Sequence, residues 1–391
     1  MNHPSLRQPS ELTVEVVRSL ERIAELEGDF AHLQAVTGNT LPFALFEWQL
    51  VWCRHFRRQH PAIADEPLLH VARNREGHCV AIVPLIRTRR RMGMFNIVSL
   101  GLLGADPAIT EIRTCLVAPG FAAAVADALS VILPQDGDWD FIQWAGMRDE
   151  FCTALGRLRG LEWVPGPPSY VLDLPPAWDT FRAGLKRNIR ESLRHCYNSL
   201  KRDGHAFVLN VATTPAGVRS ALERLFVLHT LRAAMPGSVP HPDHFASAAV
   251  RRFLHEVCGE LAVRDRVRVF ELEIAGRVVA SRIGFVVGDG LYLYYSGYDP
   301  EWGKYGVMTT TVAEAIKYSI ARGLKTVNLS TGYDVSKIRW SPREVAHQVA
   351  YEHGRRVRSR LVRHVYVKAR SGAGLEGWLL HRLIPGQRHW S

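Results

Sequence analysis

The chain has 391 residues, 47% of them hydrophobic and 22% charged, with a formal net charge of +11. That length exceeds what one core commonly supports, so two domains are expected, and the composition excludes a disordered or fibrous chain. No apolar run approaches a bilayer span, Met1–Gly28 lacks a signal-peptide apolar region, and the six cysteines show no CxxC pairing; a cytoplasmic protein without structural zinc or a disulfide framework is expected.

The positive charge favours an anionic partner but does not choose among nucleotide cofactor, tRNA, acidic lipid and nucleic acid. Much of it lies at the C terminus, where ten Lys and Arg between Arg343 and Ser391 face only Glu344, Glu352 and Glu376.

In chain order, Leu12, Val16, Leu20, Ile23 and Leu26 have the spacing of a helix over residues 11–35. FALFEWQLVWCRHF reads as a core helix with an aromatic stripe. LLHVAR, CVAIVPLIR and FNIVSLGLLG read as successive strands, with Arg87–Arg91 as a turn between the last two. That turn is read as a solvated hairpin tip, the alternative being a phosphate contact. Phe121–Leu133 is expected to be helical, Trp139–Trp144 a strand and Asp149–Leu158 helical again.

The Pro-rich stretch GLEWVPGPPSYVLDLPPAWDT puts a domain boundary near Pro165, with a strand at Tyr170–Leu174. Trp178–Arg202 reads as one basic helix with Phe181, Leu185, Ile189 and Leu193 as its apolar face. Lys186, Arg187, Arg190 and Arg194 lie off that face, either solvated or contacting an acidic acceptor or a phosphate. A strand at Phe207–Val211 and helices at Pro215–Arg232 and Phe245–Gly259 come next. Val267–Ile274 and Val278–Val287 form a hairpin across Ala275-Gly276, with Phe270, Leu272 and Ile274 inward and Glu271 and Glu273 toward solvent.

Leu291–Trp340 holds a strand-loop-helix-strand module. Its first strand, Leu291–Tyr295, breaks at Ser296-Gly297, and the loop runs through Asp299, Pro300, Gly303 and Gly306. The helix carries Val312, Ala315, Ile316 and Ile320 on one face and stops at Gly323; Thr326–Leu329 is a short buried strand. A loop feeding a helix aims unpaired N–H groups at whatever fills the crevice, which suits a phosphate. No GxSxG, HExxH or Walker pattern supports a hydrolase, zinc protease or P-loop enzyme.

SGYDPEW with Gly306, the segment from Gly332 to Lys337, FVLHTLR around His229, and FEWQLVW near the N terminus resemble the CelD/BcsL-like acyltransferases of the GNAT superfamily, relatives of the FemAB aminoacyl ligases. The resemblance implies an α+β fold of two tandem GNAT-like domains, each a central mixed sheet flanked by helices. Residues 1–165 would be a degenerate domain serving as scaffold or acceptor site, and residues 166–345 the donor-binding, catalytic domain. Residues 346–391 would form a basic tail packed on the domain, the alternative being a peripheral contact with an anionic membrane.

The implied reaction is N-acyl transfer from acyl-CoA to an amine of a small or carrier-bound acceptor by direct attack, with no metal and no specific DNA partner. In such folds two parallel strands splay and the thioester arm enters between them. Tyr294 and Tyr295 would lie on the splayed strand, Ser296, Gly297, Gly303, Lys304, Tyr305 and Gly306 on the pyrophosphate loop, and Val307 and Met308 would offer helix-start N–H groups. Asp299 is the implied base, although Asp299-Pro300 by itself reads as turn chemistry, and in many members a strand glutamate, here Glu271 or Glu273, serves instead. Tyr295, Tyr298 or Tyr305 would be the donor to the leaving group, and His229 is a further catalytic candidate, although its apolar neighbours read as those of a core histidine. Arg232, Arg282, Gly332, Asp334, Lys337 and Trp340 are the implied substrate contacts. The Gly-rich (Q/R)xxGxG loop of ordinary members is reduced here to Trp302–Val307. This keeps aminoacyl-tRNA, or an acyl or peptidyl carrier protein, open as donor, beside a non-catalytic acyl-CoA-binding module in polysaccharide synthesis.

Overall fold

A computed structural model describes residues 12–92, 95–104, 109–135, 139–147, 150–158, 161–235, 242–354 and 358–364. The first described element is strand β1 (Thr13–Val17), where a helix over 11–35 is expected. TVEVV alternates, as an edge strand does, and helical spacing holds only from Leu20 on, through α1 (Leu20–Ala24), capped by Ser19, and α2 (Glu27–Thr37). Helix α3 (Phe46–Phe56) is the expected core helix; Trp48, Leu50, Val51, Trp52 and Cys53 are buried, and the Trp48 indole donates to Thr110 Oγ1 at 3.1 Å.

Next come β2 (Gln59–His60), β3 (Ile63–Arg73), β4 (Cys79–Met92) and β5 (Phe95–Leu102). Arg87–Arg91 lie inside β4 and not in a turn. Flanking strands supply their partners: Arg87 pairs with Glu66 at 3.0 Å, and Arg90 donates to Ser99 Oγ at 2.9 Å. With those charges satisfied, the strand runs on. The unit continues through β6 (Leu116–Val117), α4 (Ala122–Gln135), β7 (Phe141–Met147), α5 (Glu150–Leu158) and β8 (Glu162–Pro165).

After β9 (Ser169–Asp173), the basic helix expected as one piece is two, α6 (Trp178–Gly184) and α7 (Arg187–Arg202). Leu185 and Lys186 break it with extended ψ values of 147° and 153°. The apolar stripe survives the break, since Phe181, Leu185, Ile189 and Leu193 are buried in one cluster. The chain then forms β10 (Phe207–Ala212), α8 (Pro215–Ala233), α9 (Ala248–Val263), β11 (Val267–Ile274), β12 (Arg277–Val287) and β13 (Gly290–Tyr298). A 3₁₀ turn at Pro300–Tyr305 leads into α10 (Val307–Ala321), β14 (Thr326–Thr331), α11 (Val335–Ile338), β15 (Arg343–Val345) and β16 (Gln348–His353).

The described chain divides into two compact units, one made of residues up to Asn39, Phe43–Gly166 and the chain from His347, the other of Thr40–Pro42 and Pro167–Ala346. Their sheets share one plan, with the orders β1-β3-β4-β5-β7-β16-β8 and β10-β11-β12-β13-β14-β9-β15. In each, neighbours are antiparallel except at the fourth step, where β5 lies parallel to β7 and β13 parallel to β14. The sixth strand of each sheet is exchanged. β9 comes after β8 in sequence but enters the second sheet, and β16 comes after β15 but enters the first. The start of the basic C-terminal segment is thus an internal strand; the sequence from residue 365 lies outside the described residues.

Strand β11 is buried along nearly its whole length because α8, α9 and α10 all pack on it. Glu271, expected on a solvent face, is 4% exposed and held by a two-pronged ion pair from Arg224 on α8, both contacts at 2.7 Å. Among the described residues, no helix is long and apolar enough to cross a membrane.

Candidate active site

The second unit contains a crevice between β13 and β14. They pair in parallel from Gly290–Tyr292 to Thr326–Asn328 and then part, β13 continuing to Tyr298 and β14 to Thr331. Two local irregularities accompany the parting. On β13, Arg282 faces Ser296 but Gly284 faces Leu293, so Tyr294 and Tyr295 together oppose Ile283 and form a β-bulge. On β14, Ser330 takes a left-handed φ of 76°, and its N–H is caught by the Asn328 side chain at 2.9 Å. In the first unit, β5 ends at Leu102, one residue past its parallel contact with β7 at Gly101, a far shorter continuation than that of β13.

Helix α10 starts at one end of the crevice. Gly306, at φ +64°, caps it, and a Cβ there would lie 2.6 Å from Cys196 Sγ on α7, so only glycine fits. The N–H groups of Thr309 and Thr310 both bond the Gly306 carbonyl, which leaves those of Val307 and Met308 for an acceptor outside the helix. Beside them Arg339 donates to Thr309 Oγ1 at 2.9 Å and to Ser192 Oγ at 3.1 Å. Its Nε is buried without an acceptor, burial lowers its pKa, and among the described residues it has no carboxylate partner. A cation with spare hydrogen-bonding capacity therefore sits at a helix start. The sequence assigns Arg339 no role; its one signal there is a place shortly after the second splayed strand.

Several expected substrate contacts gather at the same C-terminal end of the two strands, around α11. Arg232 lies 5.5 Å from the Tyr298 ring centroid, and burial lowers its pKa. Burial works against the Asp334 carboxylate, but hydrogen bonds from Ser336 and the charges of Lys337 and Arg232 bring it below the usual range. Lys337 Nζ donates to the Thr331 carbonyl and, at 3.4 Å, to Ser330 Oγ. Gly332, at φ +87°, turns the chain after β14, and Arg282 stands opposite Ser296 in the ladder.

Other expected residues are engaged elsewhere. Asp299 is 3% exposed; it caps the 3₁₀ turn through the Glu301 N–H at 3.1 Å and pairs with Arg277 at 2.5 Å. Its carboxylate is thus buried and engaged by the turn and by Arg277. Arg277 also lines an open groove of about 530 Å³ along β10, β11 and β12, with Asn210, Arg224, Glu271 and Glu273. Tyr305 is buried, and its hydroxyl donates to Asp203 at 3.0 Å; Arg202 and Tyr305 hold that carboxylate down at about 2. Lys304 and Gly303 are exposed on the turn, Tyr294 is buried against Phe285, and Trp340 is 3% exposed within the core rather than presented to a substrate.

His229, 2% exposed on α8, donates from Nδ1 to the Ser296 carbonyl at 2.8 Å, directly after the bulge. Its Nε2 faces the backbone N–H of His244 at 3.4 Å, and burial lowers its pKa. His244, which no sequence motif singles out, puts its ring 5.0 Å from that of Tyr295 on the bulge. Among the described residues, no group of three or more His, Cys, Asp or Glu is placed to hold a metal.

Residues 187–338 match a family model described as an acetyltransferase (GNAT) domain. Comparison with curated protein sequences gives no match. Solved structures similar to this chain include FemX, with a TM-score of 0.58 and 9% identity over 86% of this chain and 96% of the other. A conserved protein of unknown function from Bacteroides thetaiotaomicron is also similar, with a TM-score of 0.53 and 9% identity over 86% of this chain and 99% of the other. The matched segment carries the parting strands and the α10 start, and with its duplicated sheet plan the chain has a two-domain GNAT-like fold.

Proposed function

We propose that the second unit is an N-acyltransferase of the CelD/BcsL-like kind, in which the acyl carbonyl of a thioester donor lies between β13 and β14 and an acceptor amine attacks it directly. The observation that carries the reading is the parting of these parallel strands after three paired positions, while both run on beside a bulge. Backbone N–H groups of β13 released from sheet pairing polarise the carbonyl as it becomes an oxyanion. The N–H groups of Val307 and Met308, with Arg339, take a donor phosphate. Arg232, Asp334 and Lys337, at the same C-terminal end of the strands, are the acceptor contacts in this reading.

Acyl-CoA is the donor this reading favours. A second reading, aminoacyl transfer from tRNA or transfer from a carrier, has one observation behind it: Pro300–Tyr305 is a closed 3₁₀ turn with Tyr305 buried, so it offers phosphates less open backbone than a Gly-rich loop would. Thermal unfolding with CoA, acetyl-CoA, longer acyl-CoAs and aminoacyl-tRNA tests both. Saturating acyl-CoA at 100 times its Kd should stabilise the fold by about 2.7 kcal/mol. Stabilisation by tRNA alone would transfer the assignment to the second reading.

A further inference from the structure

We infer that His244 is the group that accepts the acceptor amine's proton, held in place for that role by His229. The inference rests on the acyl-transfer reading above and adds a base that the sequence does not single out.

The base must stand beside the splayed strand, be neutral, and have a ring nitrogen or carboxylate oxygen open to a ligand. Asp299 fails because its carboxylate is closed by Arg277 and a turn cap. His229 fails because its ring is sealed and its Nδ1 already holds the Ser296 carbonyl. His244 meets all three conditions. Its half-buried ring lies 5.0 Å from Tyr295, and among the described residues nothing bonds its ring nitrogens. Burial, and then the neighbouring His229, lower its pKa, so it is uncharged at neutral pH.

The segment carrying His244 is fixed at successive points on α8. The His244 N–H faces His229 Nε2, Asp243 Oδ2 accepts from Thr230 Oγ1 at 2.8 Å, and Phe245, fully buried, lies 4.5 Å from the His229 ring and 4.9 Å from Phe226. His229 thus ties two things together, the carbonyl after the bulge and the backbone of the base. It is a positioning residue, and the groups facing His244 are His229 of α8, Asp243 of its own segment and Tyr295 of β13.

In the reaction, the amine nitrogen forms a bond to the donor carbonyl carbon, and its proton passes to the His244 imidazole. The carbon–sulfur bond then breaks and the amide is released; water delivers a proton to the thiolate and takes one from the His244 imidazolium, leaving a thiol and a neutral imidazole.

The test uses the full chain with acetyl-CoA and a panel of primary amines. In the wild type, kcat/KM should fall as pH drops through the histidine range. His244→Ala should lower kcat at least 100-fold, within the range for general bases, abolish that acid limb, and recover with added imidazole. His229→Asn, whose amide can still reach Ser296, should keep the limb. A His244→Ala enzyme with undiminished kcat, or loss of the limb in His229→Asn and not in His244→Ala, overturns the inference alone. A wild type that moves no acyl group from any thioester offered overturns the acyl-transfer reading and this inference with it.

Discussion

A Cβ placed on Gly297 would stand 2.4 Å from the backbone nitrogen of His229, so α8 meets β13 backbone to backbone just after the bulge. No flexible side chain lies between them to absorb a methyl group. Gly297→Ala should therefore destabilise the second unit by about 1 to 3 kcal/mol and displace β13, lowering both melting temperature and turnover. Gly303→Ala is the control. Its added methyl would meet only Tyr298 Cε2 at 3.6 Å, and its melting temperature should stay close to that of the wild type.

Asp299 and Arg277 give a prediction that separates structure from chemistry. Asp299→Asn removes one partner of a pair whose arginine side chain is 59% exposed, so a cost of about 1 kcal/mol is expected in denaturant unfolding. Turnover should remain within about a factor of two of wild type, since a group off the reaction path leaves the barrier unchanged. A large fall in kcat without a fall in stability would restore Asp299 as the base.

The sequence disclosed the parts whose signal is local. The hairpin at Ala275-Gly276 is legible because a glycine, Gly276, separates two β-branched runs, and Gly276 does take a positive φ of 77°. The α10 module was legible because Gly306 and Gly323 mark its ends. The departures arise from contacts distant in sequence. Arg87 and Arg90 look like a turn until Glu66 and Ser99 are brought alongside. Glu271 reads as solvated until Arg224 arrives from α8. The site divides the same way: Val307 and Met308 emerge from loop and helix pattern, whereas His244 gains meaning only through its packing on Tyr295 and His229.

The exchanged strands predict the outcome of truncation. β16 lies between β7 and β8, and its Ala350 is fully buried. A chain ending at Ala346 would leave β7 and β8 with unpaired edges inside the first sheet, while β10–β15 keep all their partners. Limited proteolysis should then degrade the first unit and spare a fragment spanning residues 167–346. Survival of the first unit at wild-type resistance would show that β16 is dispensable.

Arg339 should matter to the donor more than to the fold. Its guanidinium bridges two hydroxyls that can turn to water, so Arg339→Ala should unfold within a few degrees of wild type. If it also holds a donor phosphate, losing a charge-assisted hydrogen bond of about 1.5 to 3 kcal/mol should raise the donor Kd about 10- to 100-fold. The effect should shrink for a donor truncated to its thioester arm, measured by calorimetry with acetyl-CoA and with an acylated pantetheine. An equal loss for both donors would place Arg339 near the acyl group instead.

The two histidines beside the bulge set an expectation for acid. Burial lowers the pKa of both His229 and His244 below the ordinary 6.5, so the folded state holds them neutral while the unfolded chain binds protons more readily. Stability from this source is fully present above about pH 6.5 and is lost as pH falls through the lowered folded values. Melting temperature should thus decline as pH falls below about 6.5, before most carboxylates titrate. His229→Asn replaces one of the two groups with a side chain that does not ionise and can still donate to Ser296, so its decline over that window should be shallower. An identical slope in wild type and variant would exclude His229 as a source of acid sensitivity.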